Sequence, residues 1–333
     1  MKLRVATRKS ALALAQTTMA AEAIVAANSF VENAAGSLTY ELVSMTTEGD
    51  RRLDKSLASF GGKGVFIKEL EVALLENRAD IAIHSLKDMP AEVLPQFKLA
   101  AVLKREDPRD AFLSRGGANG VRFMDLPAGA RVGTGSIRRI VQLKALRPDL
   151  EYVPIRGNIQ TRISKLAELD GVVLAAAGLK RMGLADQVTE YFSIEHVLPA
   201  SGQGILAIET LNDETPQESR GTRHLGQRDA SSEVSESLAQ ILARANDVET
   251  FCIASAEMAF LKALNAGCQF PVASFAEFIG VGTLKIRGIY WDEKTSRLLK
   301  AECVGEIDFG SADCVLQAKK QGVALAQEIK NQM

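Results

Sequence analysis

The chain has 333 residues, of which 47% are hydrophobic and 24% are charged, as expected for a globular protein of two or three domains. Its 40 Lys and Arg residues nearly balance 41 Asp and Glu residues, so the net charge of -1 creates no field that would draw it to nucleic acid or a membrane. No apolar run reaches the about 18 residues that span a bilayer, and the N-terminus has no secretion signal. We therefore expect a cytoplasmic protein without a membrane or nucleic-acid partner.

Strand and helix patterns alternate through the first two thirds of the chain, which is typical of parallel sheets covered by helices. The predicted elements are, in chain order, strand "LRVAT", a helix from Ser10, strand "LTYELVSM", helix "VFIKELEVALLEN", strand "DIAIHS", strand "ARVGTG", helix "SIRRIVQLKAL", strand "LEYVPIRG", helix "NIQTRISKLAEL" and strand "GVVLAAAG". The pattern restarts after "REDPRD". It therefore predicts one α/β lobe over residues 1–104 and a second over 105–199, with a strand in 200–212 returning to the first.

The remaining third has a different pattern. Residues 213–247 are polar with few aromatics, which is typical of a surface insertion or linker. Residues 248–333 contain one predicted helix, three strands and a C-terminal amphipathic helix. This order predicts a small α+β domain with an antiparallel sheet. The predicted fold class is therefore α/β, with two doubly wound lobes and an α+β C-terminal domain.

The cysteines and histidines do not predict a metal site. There are four cysteines without CxxC spacing and only three histidines. Cys252 and Cys303 lie in apolar patterns that indicate buried side chains. Cys268 differs because it follows the end of a predicted helix, between Gly267 and Pro271, and a loop thiol has either a structural role or an exposed, functional one.

Basic residues occur repeatedly where a predicted strand leads into a helix. Ligands of open α/β sheets bind at these turns, where helix N-termini offer free N–H groups. A cation opposes the helix dipole there, so one arginine would be a solvated charge but several indicate a cleft for carboxylates or phosphates. The residues are Arg8 near Ser10, Arg138 and Arg139 after Thr134 and Ser136, and Arg156 and Arg162. Lys63 also precedes a helix, in a glycine loop that matches neither a Walker A nor a GxGxxG motif.

Asp88 is an acid among these cations. It follows Ser85 and Lys87 at the end of "DIAIHS" and precedes Met89 and Pro90. An aspartate in such a turn commonly caps backbone N–H groups. The alternative is a carboxylate that stabilises a positive charge on a substrate or moves a proton. The residues alone leave both roles open.

Nine motifs occur in an order that resembles the hydroxymethylbilane synthase family, also called porphobilinogen deaminase. They are "ATRKSALALAQ", "GGKGVFIKELE", "DIAIHSLKDMP", "REDPRDAF", "VGTGSIRR", "RGNIQTR", "LAAAGLKRMG", "LPASGQG" and "AGCQFPV". The resemblance covers nearly the whole chain outside residues 211–247. It implies two lobes like those of periplasmic binding proteins, and a cytoplasmic, monomeric transferase of tetrapyrrole biosynthesis. Such an enzyme condenses four porphobilinogen molecules head to tail with release of ammonia, then releases hydroxymethylbilane by hydrolysis.

The resemblance also implies a cofactor and roles for individual residues. A dipyrromethane primer would be attached to Cys268 through a thioether, and Asp88 would stabilise cationic intermediates and assist proton transfer. No metal is implied. The residues that would hold cofactor and substrate carboxylates are Arg8, Ser10, Lys63, Ser85, Lys87, Thr134, Ser136, Arg138, Arg139, Arg156, Arg162 and Gln203.

Several positions depart from the family pattern. Met258 replaces an arginine, Ala266 replaces a glycine, and Ser59 and Phe60 stand where a lysine is common. Met258 is therefore either a cleft residue that has lost a carboxylate contact or a core residue. A two-lobed solute-binding protein with an arginine cleft is the competing hypothesis, but it does not account for the third domain. The sparse histidines disfavour a metal-dependent transferase.

Overall fold

The computed structural model describes residues 1–29, 38–46, 67–212, 237–266 and 270–333. The predicted site residues Lys63 and Cys268 lie outside these ranges, as do Ser59 and Phe60. The strands and helices are β1 (Lys2–Arg8), α1 (Ala11–Ala27), β2 (Thr39–Met45), α2 (Lys68–Leu75), β3 (Ile81–Ser85), β4 (Phe97–Val102), β5 (Asp110–Ser114), β6 (Arg131–Gly133), α3 (Ile137–Leu146), β7 (Glu151–Val153), α4 (Ile159–Ser164), β8 (Gly171–Ala175), α5 (Ala176–Arg181), β9 (Glu190–Tyr191), β10 (Leu206–Leu211), α6 (Leu238–Ala245), α7 (Val248–Ala263), β11 (Val272–Phe278), β12 (Thr283–Asp292), β13 (Arg297–Glu306) and α8 (Cys314–Lys330).

The first lobe is built on a sheet of order β2-β1-β3-β10-β4. β1 pairs in parallel with β2 and β3, and Val5 lies opposite both Leu42 and Ile81. β10 pairs antiparallel with β3 and β4. Because β1 and β3 are parallel, their carboxyl ends, Arg8 and Ser85, lie at the same edge of the sheet. α1 begins there, where the Ser10 side chain accepts a hydrogen bond from the Ala13 amide, as the sequence predicted for a helix start.

The second lobe repeats this arrangement with the order β7-β6-β8-β5-β9. β6 pairs in parallel with β7 and β8, while β5 pairs antiparallel with β8 and β9. Three phenylalanines pack in the core with tilted or edge-to-face geometry, at ring-centroid distances of 5.1 to 6.4 Å: Phe112, Phe123 and Phe192. The carboxyl ends of β6 and β8 lead into the turns before α3 and α5, so these turns share one edge of the sheet.

Two chain segments cross between the lobes and bond to each other. Residues 103–109 lead from β4 into β5, and residues 192–205 lead from β9 into β10. The Leu103 amide donates to the Leu206 carbonyl at 3.1 Å, and the Glu106 amide donates to the Gly204 carbonyl at 3.1 Å. The lobes are therefore joined by a paired connection that places each segment directly before an inner strand.

The C-terminal domain packs α7 and α8 against the antiparallel sheet β11-β12-β13. One buried carboxylate, Glu257 of α7, joins this domain to both crossing segments. It accepts hydrogen bonds from the Arg105 guanidinium at 2.7 Å, the Gly202 amide at 2.6 Å and the Ala276 amide at 2.8 Å. Since Glu257 is fully buried, these donors replace the water that the carboxylate loses.

The predicted fold class is confirmed, because two mixed α/β sheets are followed by a small α+β domain. In the described part of the chain, no helix has the length and apolar character needed to span a membrane. The exact domain boundaries stay predictions.

Two sequence-based expectations differ from the structure. Residues 213–247 are predicted to be a polar insertion or linker; 213–236 lie outside the described residues, but the end of the segment forms α6, with Ile241 and Leu242 buried in the first lobe. Their apolar spacing is helical, but the polar residues before them dominate the composition. The run "GVVLAAAG" was expected to be one strand, but β8 ends at Ala175 and α5 begins at Ala176. Alanine and leucine favour a helix there.

The contact between α7 and α8 yields a stability prediction at Gly322. A Cβ at this position would meet the Ala256 carbonyl oxygen, and it would lie 3.0 Å from the Phe260 amide nitrogen. Gly→Ala inside a helix normally stabilises it by about 1 kcal/mol. Here the backbone clash reverses the sign, and we expect Gly322→Ala to lower the free energy of unfolding by about 1 to 3 kcal/mol.

Chemical denaturation of the two proteins measures this change. Val323→Ala is the control, because Val323 is exposed on the same helix and its replacement should change stability by about 0.5 kcal/mol or less. A Gly322→Ala protein more stable than the parent would show that the helices do not approach this closely.

Candidate active site

The carboxyl ends of β3 and β8 face a narrow cleft between the two lobes. β3 ends at Ser85 and continues into a 3-10 turn, Leu86–Asp88, while β8 ends at Ala175 and continues into α5. The cleft is lined by Leu12, Gln16, Ser85, Lys87, Asp88, Ala175, Ala177, Gly178, Arg181, Gln203 and Gly204. The structure thus brings together four predicted site residues, Ser85, Lys87, Asp88 and Gln203, with polar groups from both lobes.

Asp88 presents an exposed carboxylate to this cleft. The turn that carries it is closed by the backbone, since the Met89 amide donates to the Leu86 carbonyl at 3.0 Å. Among the described residues no hydrogen bond of the Asp88 side chain is found, so no capping bond supports the structural interpretation. This geometry favours the functional alternative, and the catalytic role of Asp88 stays a prediction.

Lys87 lies beside Asp88 and bonds across to the segment returning from the second lobe. Its Nζ donates to Gln203 Oε1 at 3.3 Å. Desolvation lowers the pKa of Lys87 to about 8, against the raising effect of Asp88 and Asp110, while Arg139 and Arg138 lower it further. The charge of Lys87 therefore responds to its neighbours close to neutral pH.

Arg138 and Arg139 do not present free guanidinium forks to the cleft. Arg138 Nη2 lies 2.7 Å from Asp110 Oδ2 and Arg139 Nη2 lies 2.7 Å from Asp110 Oδ1. Their Nη1 atoms donate to the carbonyls of Leu198, at 2.6 Å, and Val173, at 2.9 Å. Both arginines are buried, so an internal carboxylate already uses much of the bonding capacity that was predicted for ligands. Direct ligand contacts of these arginines stay predictions.

Arg156 and Arg162 are more exposed to solvent than Arg138 and Arg139. Arg162 is half-buried, and its Nε donates to the Gly157 carbonyl at 2.8 Å. Burial lowers the pKa of Arg162, as do Arg139 and Arg156, while Asp88 raises it. Arg162 is therefore close enough to both Asp88 and the exposed Arg156 to interact with their charges, and both arginines stay predicted carboxylate ligands.

The remaining predicted polar ligands mainly hold the local backbone. Ser10 caps α1, and Thr134 Oγ1 accepts a hydrogen bond from the Ser136 amide at 3.3 Å. Ser85 Oγ donates to Gln16 Oε1 at 3.2 Å in the cleft wall. Arg8 is half-buried at the end of β1. Their ligand roles stay predictions.

Arg181 is a cleft residue that the sequence analysis missed. It ends α5 and donates from Nη2 to the Gly204 carbonyl at 2.7 Å. Burial lowers the pKa of Arg181 to about 10, although Glu106 opposes the shift. Its signal was present in the motif "LAAAGLKRMG", but the unrecognised helix α5 hid that this arginine returns to the cleft.

Met258 occupies an apolar contact rather than a polar one. It is half-buried and packs against the C-terminal core as well as the cluster that contains Leu86 and Met89 of the first lobe. This contact favours the core interpretation of the departure from arginine.

Comparison with known proteins decides the family. Residues 3–219 match the model "Porphobilinogen deaminase, dipyromethane cofactor binding domain" and residues 251–331 match "Porphobilinogen deaminase, C-terminal domain". The chain belongs to the porphobilinogen deaminase family. A porphobilinogen deaminase of Syntrophus aciditrophicus is 42% identical over 98% of this chain and 94% of its own. One from Syntrophomonas wolfei is 41% identical over 99% of this chain and 95% of its own.

The family assignment confirms several predictions. The family is one of transferases in tetrapyrrole biosynthesis, and its matched domain is a dipyrromethane-binding domain. The attachment to Cys268 stays a prediction. Among solved structures, a TRAP periplasmic solute-binding protein from Roseobacter denitrificans with bound β-D-glucuronate covers 74% of this chain and 78% of its own, at 10% identity and a TM-score of 0.36. That score is too low to support an argument about function.

The position of Asp88 yields a kinetic prediction. Asp88→Asn keeps the side-chain shape and removes the charge, so we expect kcat to fall by about 100-fold or more with porphobilinogen as substrate. The matched control is Asp125→Asn, because Asp125 is also an exposed last residue of a 3-10 turn, outside the cleft. It should retain normal turnover.

Steady-state assays of protein with equal pyrrole content, verified by intact mass, measure the two rates. Normal turnover by Asp88→Asn would restore the structural interpretation of this aspartate.

Proposed function

We propose that this chain is a porphobilinogen deaminase, a transferase that joins four porphobilinogen molecules head to tail with loss of ammonia and releases hydroxymethylbilane by hydrolysis. The observation that carries the proposal is the exposed Asp88 carboxylate in a cleft whose other charged lining residues are the cations Lys87 and Arg181. Such a site offers electrostatic binding to acidic pyrroles and one anion for positive charge that develops on the substrate.

The residues of the cleft suit dipyrromethane, whose pyrroles carry acetate and propionate groups. The donors that we propose for these carboxylates are Lys87, Arg156, Arg162 and Arg181. Ser85 would be a neutral donor once its hydroxyl turns away from Gln16. Arg162 and Arg181 are partly desolvated, which strengthens a charge-assisted hydrogen bond. We also retain Arg8, Ser10, Lys63, Thr134, Ser136, Arg138, Arg139 and Gln203 as proposed binding residues. When bound, dipyrromethane supplies the primer to which the substrate is joined.

The proposed anchor, Cys268, belongs to a segment that the C-terminal domain holds at both ends. Before it, Ala266 is buried and its amide donates to the Leu261 carbonyl at 3.0 Å. After it, the Pro271 carbonyl accepts a hydrogen bond from the Trp291 amide at 3.0 Å. The described residues on both sides of the proposed anchor are therefore bonded into the C-terminal domain.

Asp88 is proposed to act on the substrate directly. Loss of ammonia from porphobilinogen leaves positive charge on the substrate, which a nearby carboxylate stabilises. The same carboxylate can accept a proton from a pyrrole once the new bond has formed. Lys87 and Arg162 would hold the acidic side chains in orientation while Asp88 faces the reacting centre.

We also propose that the protein is a cytoplasmic monomer that acts on a small molecule and has no nucleic-acid or membrane partner. The nearly balanced charge of the chain is consistent with this part of the proposal. Size-exclusion chromatography with light scattering tests the oligomeric state, and a dimeric mass would correct it.

The cofactor anchor yields a direct test. Cys268→Ser removes the nucleophilic sulfur, so we expect a mass equal to the bare chain and no activity, whereas the unmodified sequence carries the additional mass of two pyrroles. Cys303→Ser is the matched control, because Cys303 is a half-buried thiol in β13. It should keep both the added mass and the activity.

Intact-mass spectrometry followed by peptide mapping makes the measurement. Pyrrole mass on a peptide without Cys268 would refute the anchor. A bare mass and no turnover of porphobilinogen by the unmodified sequence would refute the proposed function.

A further inference from the structure

Asp110 is a buried carboxylate at the point where the first crossing segment enters the second lobe. It is the first residue of β5 and has no exposed surface. Three side chains contact it: Arg138 and Arg139 lie against its two oxygens, and Gln203 Nε2 donates to Oδ1 at 2.9 Å. The other end of the same Gln203 amide accepts a hydrogen bond from Lys87 at 3.3 Å.

We propose that Asp110 is a positioning residue of the cleft: it fixes Arg138 and Arg139 and, through Gln203, holds the Lys87 ammonium beside Asp88. This inference rests on the proposed function, since it concerns the same cleft. It assigns Asp110 no contact with substrate. Its effect passes through the four side chains that it holds.

The charge balance of the cluster explains why a carboxylate is needed there. Burial alone would raise the pKa of Asp110, but Arg138 and Arg139 hold it well below its usual range, so the group stays ionised at neutral pH. Two buried guanidiniums without this anion would repel each other and Lys87. Asp110 therefore makes it favourable to keep several cations close together in a site with little water.

The geometry also explains how Asp110 can act, through Gln203, on the part of the cleft that contains Lys87 and Asp88. Gln203 is almost fully buried, and its Nε2 donates to the Pro108 carbonyl at 2.7 Å as well as to Asp110. These two bonds orient the amide so that its oxygen faces Lys87. Hydrogen bonds thus connect a carboxylate of the second lobe to the turn that carries Asp88 in the first.

The pKa of Lys87 can be used to test this connection, because the charged groups that shift it are known. Asp88 on its own turn and Asp110 on β5 favour the ammonium form, whereas Arg138 and Arg139 on α3 disfavour it. Arg181 of α5 also lines the cleft, and Gln203 from the crossing segment contributes a neutral acceptor. Removing the Asp110 charge therefore leaves the arginines less compensated and destabilises the ammonium.

The test is to measure the pKa of Lys87 in the purified, pyrrole-loaded protein. Acetylation by acetic anhydride at a series of pH values, followed by peptide mapping, gives the pKa from the rate of Lys87 modification. Asp110→Asn should lower the Lys87 pKa relative to the unmodified sequence by about half a pH unit or more. It should also lower kcat/KM for porphobilinogen and move the alkaline limb of its pH profile in the same direction.

Asp80→Asn is the matched control. Asp80 also binds an arginine through both oxygens, at 2.7 and 3.2 Å from the Arg4 guanidinium, but it is absent from the groups that act on Lys87. Its replacement should leave the Lys87 pKa unchanged. A purely structural effect of losing an Asp–Arg pair would affect the stability of both variants without moving the Lys87 pKa.

A second variant covers the case in which Asp110→Asn does not fold. Gln203→Met keeps the ion pairs of Asp110 and removes the amide that joins it to Lys87, so it should also lower the Lys87 pKa. An unchanged Lys87 pKa in every folded variant would overturn the proposal for Asp110. That readout does not require activity, whereas the absence of pyrrole mass from the unmodified sequence would overturn the proposed function.

Discussion

The placement of one buried negative charge between two buried guanidiniums is the constraint on which the rest of the cleft depends. Asp110, Arg138 and Arg139 are each 5% exposed or less, so the desolvation cost must be offset inside the protein. Asp110 can do this only because the chain crosses from the first lobe directly into β5. The connection between the lobes and the electrostatics of the cleft are therefore parts of one structure.

A second buried carboxylate, Glu257, connects the C-terminal domain to the two crossing segments. Glu257 binds Arg105 of one crossing segment and Gly202 of the other, while it also accepts the Ala276 amide of β11. The C-terminal domain, which contains the proposed anchor Cys268, is thus bonded to the same segments that organise the cleft. This arrangement fixes α7 and β11 of that domain relative to the two crossing segments through buried hydrogen bonds.

The sequence predicted features that depend on local chemistry and could not predict long-range pairs. Apolar runs located the parallel strands, Ser10 marked the start of α1, and the position of Asp88 after a buried strand placed it at the cleft. Arginines at helix starts indicated an anion site, but nothing in "VGTGSIRR" shows that Asp110 neutralises two of them. The position of Arg181 in the cleft could not be predicted either, because it depends on where β8 ends and α5 begins.

The proposed function requires this cleft to build a chain of acidic pyrroles on the protein. Mixing the pyrrole-loaded protein briefly with a few equivalents of porphobilinogen, then quenching in acid and recording the intact mass, tests it most directly. We expect a series of covalent species, each heavier than the last by one porphobilinogen minus ammonia and ending after four additions. A single unchanged mass, with the porphobilinogen left unconsumed, would contradict it.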